Sequence, residues 1–254
     1  MVSILVPLYI YPTAGSWQPL LSAASNHPNV NFAVIINPDS GPGTESLPDS
    51  NYIEALRSFD QYPNVSLLGY VGTKYGDRDA AHIEADVALY SGWEHEFANL
   101  DDGGPVVSLQ GIFLDEIPAE VEYAEVISDI TSVIRDTWSQ VMDTDATVVY
   151  NPGVMVDTSF YSSADCIVAF EDAEVDRPAF MEEILADMDW ENRQKTAAIV
   201  HTYSGTWEEL EQLVEWAADS GLSSLFVTDQ AGGLYTEWPG IWESLVGLVD
   251  EVGS

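Results

Sequence analysis

A chain of 254 residues, 46% hydrophobic and 11% aromatic, carries enough apolar material for one barrel-sized domain or two small ones and is not a disordered polypeptide. Its 43 acidic against 7 basic side chains give a net charge of −36, which excludes nucleic acid and an anionic membrane surface as partners, since both need a basic face. No apolar run approaches the roughly 20 residues of a membrane span.

The charge leaves three readings open: steering of a polycationic substrate, life in high salt or acid, and solubility. Met1-Val2-Ser3-Ile4-Leu5-Val6 lacks the basic start of a signal peptide and runs straight into a strand pattern. The chain is therefore expected to be intracellular or a mature fragment. Cys166 is the sole cysteine, so no intramolecular disulfide forms, and within its apolar run it reads as a small buried hydrophobe. Asn64-Val65-Ser66 has the form of a glycosylation sequon.

From the N-terminus the pattern is strand, loop, helix, repeated. The first strand is expected over Ile4–Ile10, followed by a helix from about Trp17 to Asn26. Phe32–Ile36 is a second strand, continuous in its apolar character as buried parallel strands are. The turn-rich Asn37–Gly43 comes after it, and Ser50 is a candidate cap for a helix reaching about Asp60. Val65–Val71 is the third strand, and a helix of roughly Arg78–Phe97 places Ile83, Val87 and Tyr90 on one face. The fourth strand is Gly111–Glu116, an apolar run that ends abruptly in two acids. A long helix from about Val121 to Met142 leads to the fifth strand, Thr147–Tyr150, closed by Asn151-Pro152-Gly153. A short connection with little helix precedes the sixth strand, Cys166–Phe170, which runs into Glu171-Asp172. A helix over Arg177–Asp189 leads to the seventh strand, Ala197–His201. Thr206 and Glu209 form a capping-box pattern for a helix through Asp219, with Gly221 as its C′ glycine. Ser224–Asp229 is the eighth strand, and Trp238–Val252 the last helix.

Eight strands, nearly all separated by helices and none joined by a hairpin turn, imply a parallel sheet. Eight such units in about 250 residues match a single (β/α)8 barrel over residues 1–254, with a doubly wound open sheet as the alternative. No G-x-G-x-x-G or G-x-x-x-x-G-K loop comes after the first strand, so nucleotide binding lacks its anchor.

In such a barrel the chemistry sits at the C-terminal strand ends. Those ends carry Tyr9 and Tyr11, Asn37, Tyr70, Asp115 and Glu116, Asn151, Glu171 and Asp172, His201, and Asp229. One polar group at a strand end means little, because strand ends meet solvent. Their coincidence on all eight strands means more. Aromatic platforms beside carboxylates and amides suit a carbohydrate, and two acids from distant strands are what glycosidic hydrolysis needs. The histidines show no metal-ligand spacing, no calcium loop is present, and no G-x-S-x-G elbow supports a serine nucleophile, so neither metal nor cofactor is expected. His201 reads either as a satisfied histidine of the barrel mouth or as a substrate contact.

The same strand ends resemble the spherulin 4 family (spherulation-specific family 4). The resemblance rests on Val6-Pro7-Leu8-Tyr9-Ile10-Tyr11-Pro12, Val34–Pro38 with Ser40-Gly41-Pro42-Gly43, Leu68–Val71 with Thr73, Tyr75 and Gly76, Gly111–Glu116, Asn151-Pro152-Gly153, and Phe170-Glu171. It implies a barrel like the fungal glycoside hydrolases of family 135, which cut galactosaminogalactan, and implies that Asp115, Glu116 and Glu171 are the essential acids. On that footing Glu171 is the expected general acid. Asp115 is the expected nucleophile, or else the group that orients an N-acetyl carbonyl for substrate-assisted attack. Glu116, adjacent to Asp115 on a regular strand, should point away from it and support the site or bind an amino group. Tyr9, Asn37, Tyr70, Asn151, His201 and Asp229 are expected substrate contacts. The expected protein is a monomeric endo-acting hydrolase of an amino-sugar polysaccharide, extracellular or wall-associated as a mature fragment. A non-catalytic carbohydrate-binding barrel of a wall or spore coat is the rival.

Overall fold

The computed structural model describes residues 2–142, 144–232 and 234–253, with the backbone alone at 185 and 187. Its eight strands are β1 (Ser3–Leu8), β2 (Phe32–Ile36), β3 (Val65–Gly72), β4 (Gly111–Asp115), β5 (Thr147–Asn151), β6 (Cys166–Ala173), β7 (Thr196–His201) and β8 (Ser224–Val227). They pair in chain order, every neighbour parallel, and β8 closes on β1 through Ser3–Ser224 and Ile4–Leu225. Closure removes the free edges that an open sheet would leave, and the doubly wound alternative falls.

The helices are α1 (Gln18–Asn26), α2 (Ser50–Arg57), α3 (Ala80–Asn99), α4 (Ala124–Met142), α5 (Arg177–Asp187), α6 (Trp190–Arg193), α7 (Trp207–Asp219) and α8 (Trp242–Val252). Between β5 and β6 stands only a 3-10 turn, Thr158–Ser162, as the sparse helix pattern there implied. The cap of α2 is Asp49 rather than Ser50: its carboxylate accepts from the amides of Asn51 and Tyr52, the bonds an N-cap side chain makes. The capping box of Thr206 and Glu209 is present in full, and Gly221 lies just past α7 with φ +81°. The last helix starts at Trp242 rather than Trp238, and in the stretch before it Tyr235 reaches Glu171 at the barrel mouth.

Helices dock on the outer face of the barrel through large apolar side chains. Tyr90 of α3 lies so close over Gly69 of β3 that a β-carbon there would stand 2.6 Å from the ring. Only glycine allows that approach. Trp93, Trp138 and Phe97 are almost wholly buried in the same layer, each burial stabilising by about 2–3 kcal/mol. Asn64 is buried as well and donates from Nδ2 to the carbonyls of Ala24 and Val30 at 3.1 and 3.0 Å, so the sequon is a structural asparagine.

One irregularity matters for the site. Along β6, Val168 pairs with Ala197 but Phe170 pairs with Ala198, which leaves Ala169 as an extra residue. Beyond this bulge Phe170 faces out and stacks on Phe180 of α5, with ring centroids 4.9 Å apart. Glu171 consequently faces in.

Candidate active site

Register alone brings the first components together. Asp115 pairs with Gly72 on one side and with Asn151 on the other, so one row at the C-terminal rim holds β3, β4 and β5 residues side by side. Phe113 and Tyr70, paired two residues lower, form the layer beneath. Above them opens a cleft of about 380 Å³, lined by Tyr75, Asp115, Glu116, Asn151, Glu171 and His201 among others. That volume suits a small ligand or a section of a polymer. A second groove, between α3 and α4, is lined mainly by aliphatic side chains and gathers no paired acids around one point.

Asp115 and Glu171 share a donor. The Nδ2 amide of Asn151 donates to Asp115 Oδ1 at 2.8 Å and to Glu171 Oε2 at 2.5 Å. Two such contacts to one nitrogen put the two oxygens no more than 5.3 Å apart. The remaining oxygen of each acid is held by a phenol: Tyr70 donates to Asp115 Oδ2 at 2.7 Å, and Tyr235 donates to Glu171 Oε1 at 2.6 Å. Tyr9 packs edge-on against both tyrosine rings, with centroids 5.8 Å from Tyr70 and 5.9 Å from Tyr235. The Oδ1 atom of Asn151 is buried without a partner among the described residues. An orphaned amide oxygen costs about 1–3 kcal/mol, a cost tolerated because both amide hydrogens are committed to the acids.

The electrostatics arise from this packing. Burial pushes the Glu171 carboxyl above its usual range, and the neighbouring Asp115 charge pushes the same way, while the Tyr235 and Asn151 hydrogen bonds and His201 pull it back. Burial and the carboxylates raise the Tyr70 and Tyr235 phenols well above the ordinary tyrosine value, so both stay protonated as donors. Burial likewise lifts Tyr9.

Glu116 departs from expectation. The strand ends at Asp115, and Glu116 takes a left-handed backbone conformation with φ +55°, so its side chain is not turned to the opposite face. It lines the same cleft, with Oε2 over Gly72. No described residue donates to its carboxylate, in contrast to the four bonds received by the other two acids. Its own carbonyl is the anchor of the β3–α3 loop, accepting from Thr73 Oγ1 at 2.6 Å and from the Tyr75 amide at 2.7 Å.

Of the remaining expected residues, His201 lines the cleft, its Nδ1 2.9 Å from Thr202 Oγ1 and its Nε2 4.0 Å from Asp172 Oδ1. Asn37 and Asp229 do not line it. Asn37 accepts from the Gly41 amide at 2.9 Å and Asp229 from the Gly240 amide at 3.0 Å, so each holds its own loop. Glu171 lies within β6 and not at its end, since pairing with β7 continues to Ala173. Tyr235 and Tyr75 escape a reading by pattern because both sit in irregular loops where no periodicity points at them. Among the described residues no group of three or more His, Cys, Asp or Glu is arranged to hold a metal, and no helix is long and apolar enough to cross a membrane.

The family model for spherulation-specific family 4 matches residues 3–249. Spherulin-4 of Physarum polycephalum is 32% identical over 172 residues, 68% of this chain and 45% of that protein, so the chain spans less than half the length of this relative. The crystal structure of Aspergillus clavatus Sph3 in complex with GalNAc superposes with a TM-score of 0.86 at 32% identity, covering 98% of this chain and 97% of that one. A Rhizomucor miehei chitinase superposes with a TM-score of 0.51 at 10% identity over 99% of each chain, a likeness of fold alone. Matched over nearly its whole length, the chain belongs to spherulation-specific family 4.

Proposed function

We propose that the protein is a glycoside hydrolase that cuts inside an amino-sugar polysaccharide, at α-1,4-linked N-acetylgalactosamine or galactosamine of a galactosaminogalactan-like polymer. The observation that carries this reading is the pair Asp115–Glu171, held by one amide with their nearest oxygens within 5.3 Å. Carboxyl groups about 5–5.5 Å apart are those of retaining enzymes, whereas inverting ones leave about 6.5–9.5 Å for a water. The similarity to an Sph3 solved with GalNAc supports the choice of sugar.

Glu171 serves as general acid and then general base. Its raised pKa keeps a proton available, and the Tyr235 hydroxyl, a donor to the carboxylate, turns to accept when Glu171 is protonated. As the glycosidic oxygen leaves with that proton, Asp115 meets the developing positive charge at the anomeric carbon. It does so either by attacking it or by orienting an N-acetyl carbonyl that attacks, and its bonds from Tyr70 and Asn151 fix its position for the task. Water activated by the now ionised Glu171 completes hydrolysis with retention. Glu116, whose carboxylate receives no hydrogen bond from the described residues, faces the sugar as an acceptor for a hydroxyl or amino group.

The experiment is hydrolysis of α-1,4-linked N-acetylgalactosamine oligomers, with NMR of the first anomer released. Retained configuration together with an inactive Glu171→Gln variant is the expected result. An inverted first product overturns the retaining assignment, and binding without any cleavage by the unaltered protein returns the barrel to a purely binding role.

A further inference from the structure

Tyr75 is 64% exposed, yet its position is tightly specified. It has φ +54° and comes directly after Lys74 at φ +53°, two consecutive left-handed residues that are not glycine. A loop that merely joined β3 to α3 would put glycine or asparagine at such positions. Here the conformation is enforced: the Tyr75 amide donates to Glu116 O at 2.7 Å, and the amides of Gly76 and Arg78 both return to Thr73 O, at 3.2 and 3.1 Å. Backbone strain of this kind collects at functional sites, where the surroundings over-determine it. The anchoring carbonyl belongs to an acid of the cleft itself, so the backbone that carries the ring is fixed relative to the acids.

The loop delivers a large aromatic side chain to the rim of the cleft. Strand order puts Tyr75 on the β3 side of Asp115, with Asn151 and Glu171 on the opposite side. On the far wall Val154, 53% exposed in the β5–β6 connection, lines the same cleft. An exposed ring on an anchored backbone beside paired acids offers apolar area to a flat partner, with only two side-chain torsions left to order. The apolar face of a pyranose is such a partner.

The structure assigns Tyr75 as the stacking platform of a sugar subsite next to the point of cleavage, on the side of Asp115 remote from Glu171. The assignment rests on the glycosidase reading and adds to it a residue that binds the neighbouring sugar without touching the broken bond. It makes chain length a determinant of affinity: a monosaccharide at the acids does not reach Tyr75, while an oligomer does.

The test is a titration of the inactive Glu171→Gln protein, monitored by calorimetry, with α-1,4-linked N-acetylgalactosamine oligomers of increasing length. Adding Tyr75→Ala should weaken binding of the longer oligomers by about tenfold and leave the monosaccharide unaffected, while Tyr75→Phe keeps the affinity. Tyr75→Gly, which removes the ring and relaxes the left-handed backbone, should lose binding as Tyr75→Ala does and so separates the ring from the fold. Affinities of Tyr75→Ala and Tyr75→Gly that equal those of the Glu171→Gln parent at every oligomer length, or a loss in Tyr75→Phe as large as in Tyr75→Ala, overturn the platform. Failure of the Glu171→Gln protein to bind any oligomer would instead remove the glycosidase reading, and the platform with it.

Discussion

Two sets of strand ends in this barrel look alike in sequence and behave differently in space. At the ends of β4, β5 and β6 the polar side chains Asp115, Asn151 and Glu171 turn to one another and share hydrogen bonds across strands. Just beyond β2 and β8, Asn37 and Asp229 turn back to their own loops and satisfy the amides of Gly41 and Gly240. The difference lies in the loop that each strand runs into. After β2 and β8 the chain makes long irregular loops with unpaired amides that need an acceptor. After β4 the loop's amides are already served by backbone, as when Ile117 N donates to Asn151 O at 3.1 Å, and the side chains remain free for a ligand. A polar residue at a barrel rim thus either tends its own turn or faces the substrate.

The contrast can be broken at its strongest point first. Glu171→Gln should cut kcat by about 10²–10⁴-fold, the usual contribution of a general acid, measured on oligomer hydrolysis. The same variant should raise the thermal midpoint at neutral pH. Folding raises the Glu171 pKa, so the native state binds the proton more tightly and loses stability as pH rises from the ordinary carboxylate range through the raised value. Gln avoids that loss, and its advantage should vanish below the ordinary range. A variant equally destabilised at both pH values contradicts this account.

Asn151→Ala comes next. It leaves the two acids without their shared donor and should lower kcat/KM by about tenfold to a hundredfold, the 1.5–3 kcal/mol of a hydrogen bond to a charged group. Tyr235→Phe should cost less in rate but shift the pH profile: without the phenol's donation the Glu171 pKa climbs further, and the alkaline limb moves to higher pH. An unmoved limb would make Tyr235 a packing residue. Smallest of all, Asn37→Ala should leave kcat and KM unchanged and lower stability by about 1 kcal/mol in a denaturant titration. A clear rise in KM would restore Asn37 to the substrate side.

The barrel is legible because eight apolar runs alternate with amphipathic stretches, and a buried parallel strand announces itself by continuous hydrophobicity. The acids are legible for a related reason: charges at the end of such runs, Asp115 and Glu171, must reach either solvent or a site. Tyr235 is not, since a loop tyrosine earns its place through a single 2.6 Å bond across the barrel mouth that no local pattern encodes. Glu116 is misplaced by the strand pattern for a comparable reason. Period-two logic holds only while the strand lasts, and a left-handed residue one step past its end resets the direction.

The extra residue in β6 carries an evolutionary corollary. Because Ala169 has no partner on β7, it decides which of two adjacent side chains, Phe170 or Glu171, looks into the barrel. Were Ala169 drawn into the ladder opposite Ala198 at unchanged chain length, the strand would straighten, the carboxylate would turn toward the helices and phenylalanine would come inward, with all three acids intact. Loss of hydrolysis in a descendant could therefore leave the acids themselves untouched. Relatives that have kept all three acids but lost this kink are the ones to suspect of having become lectins.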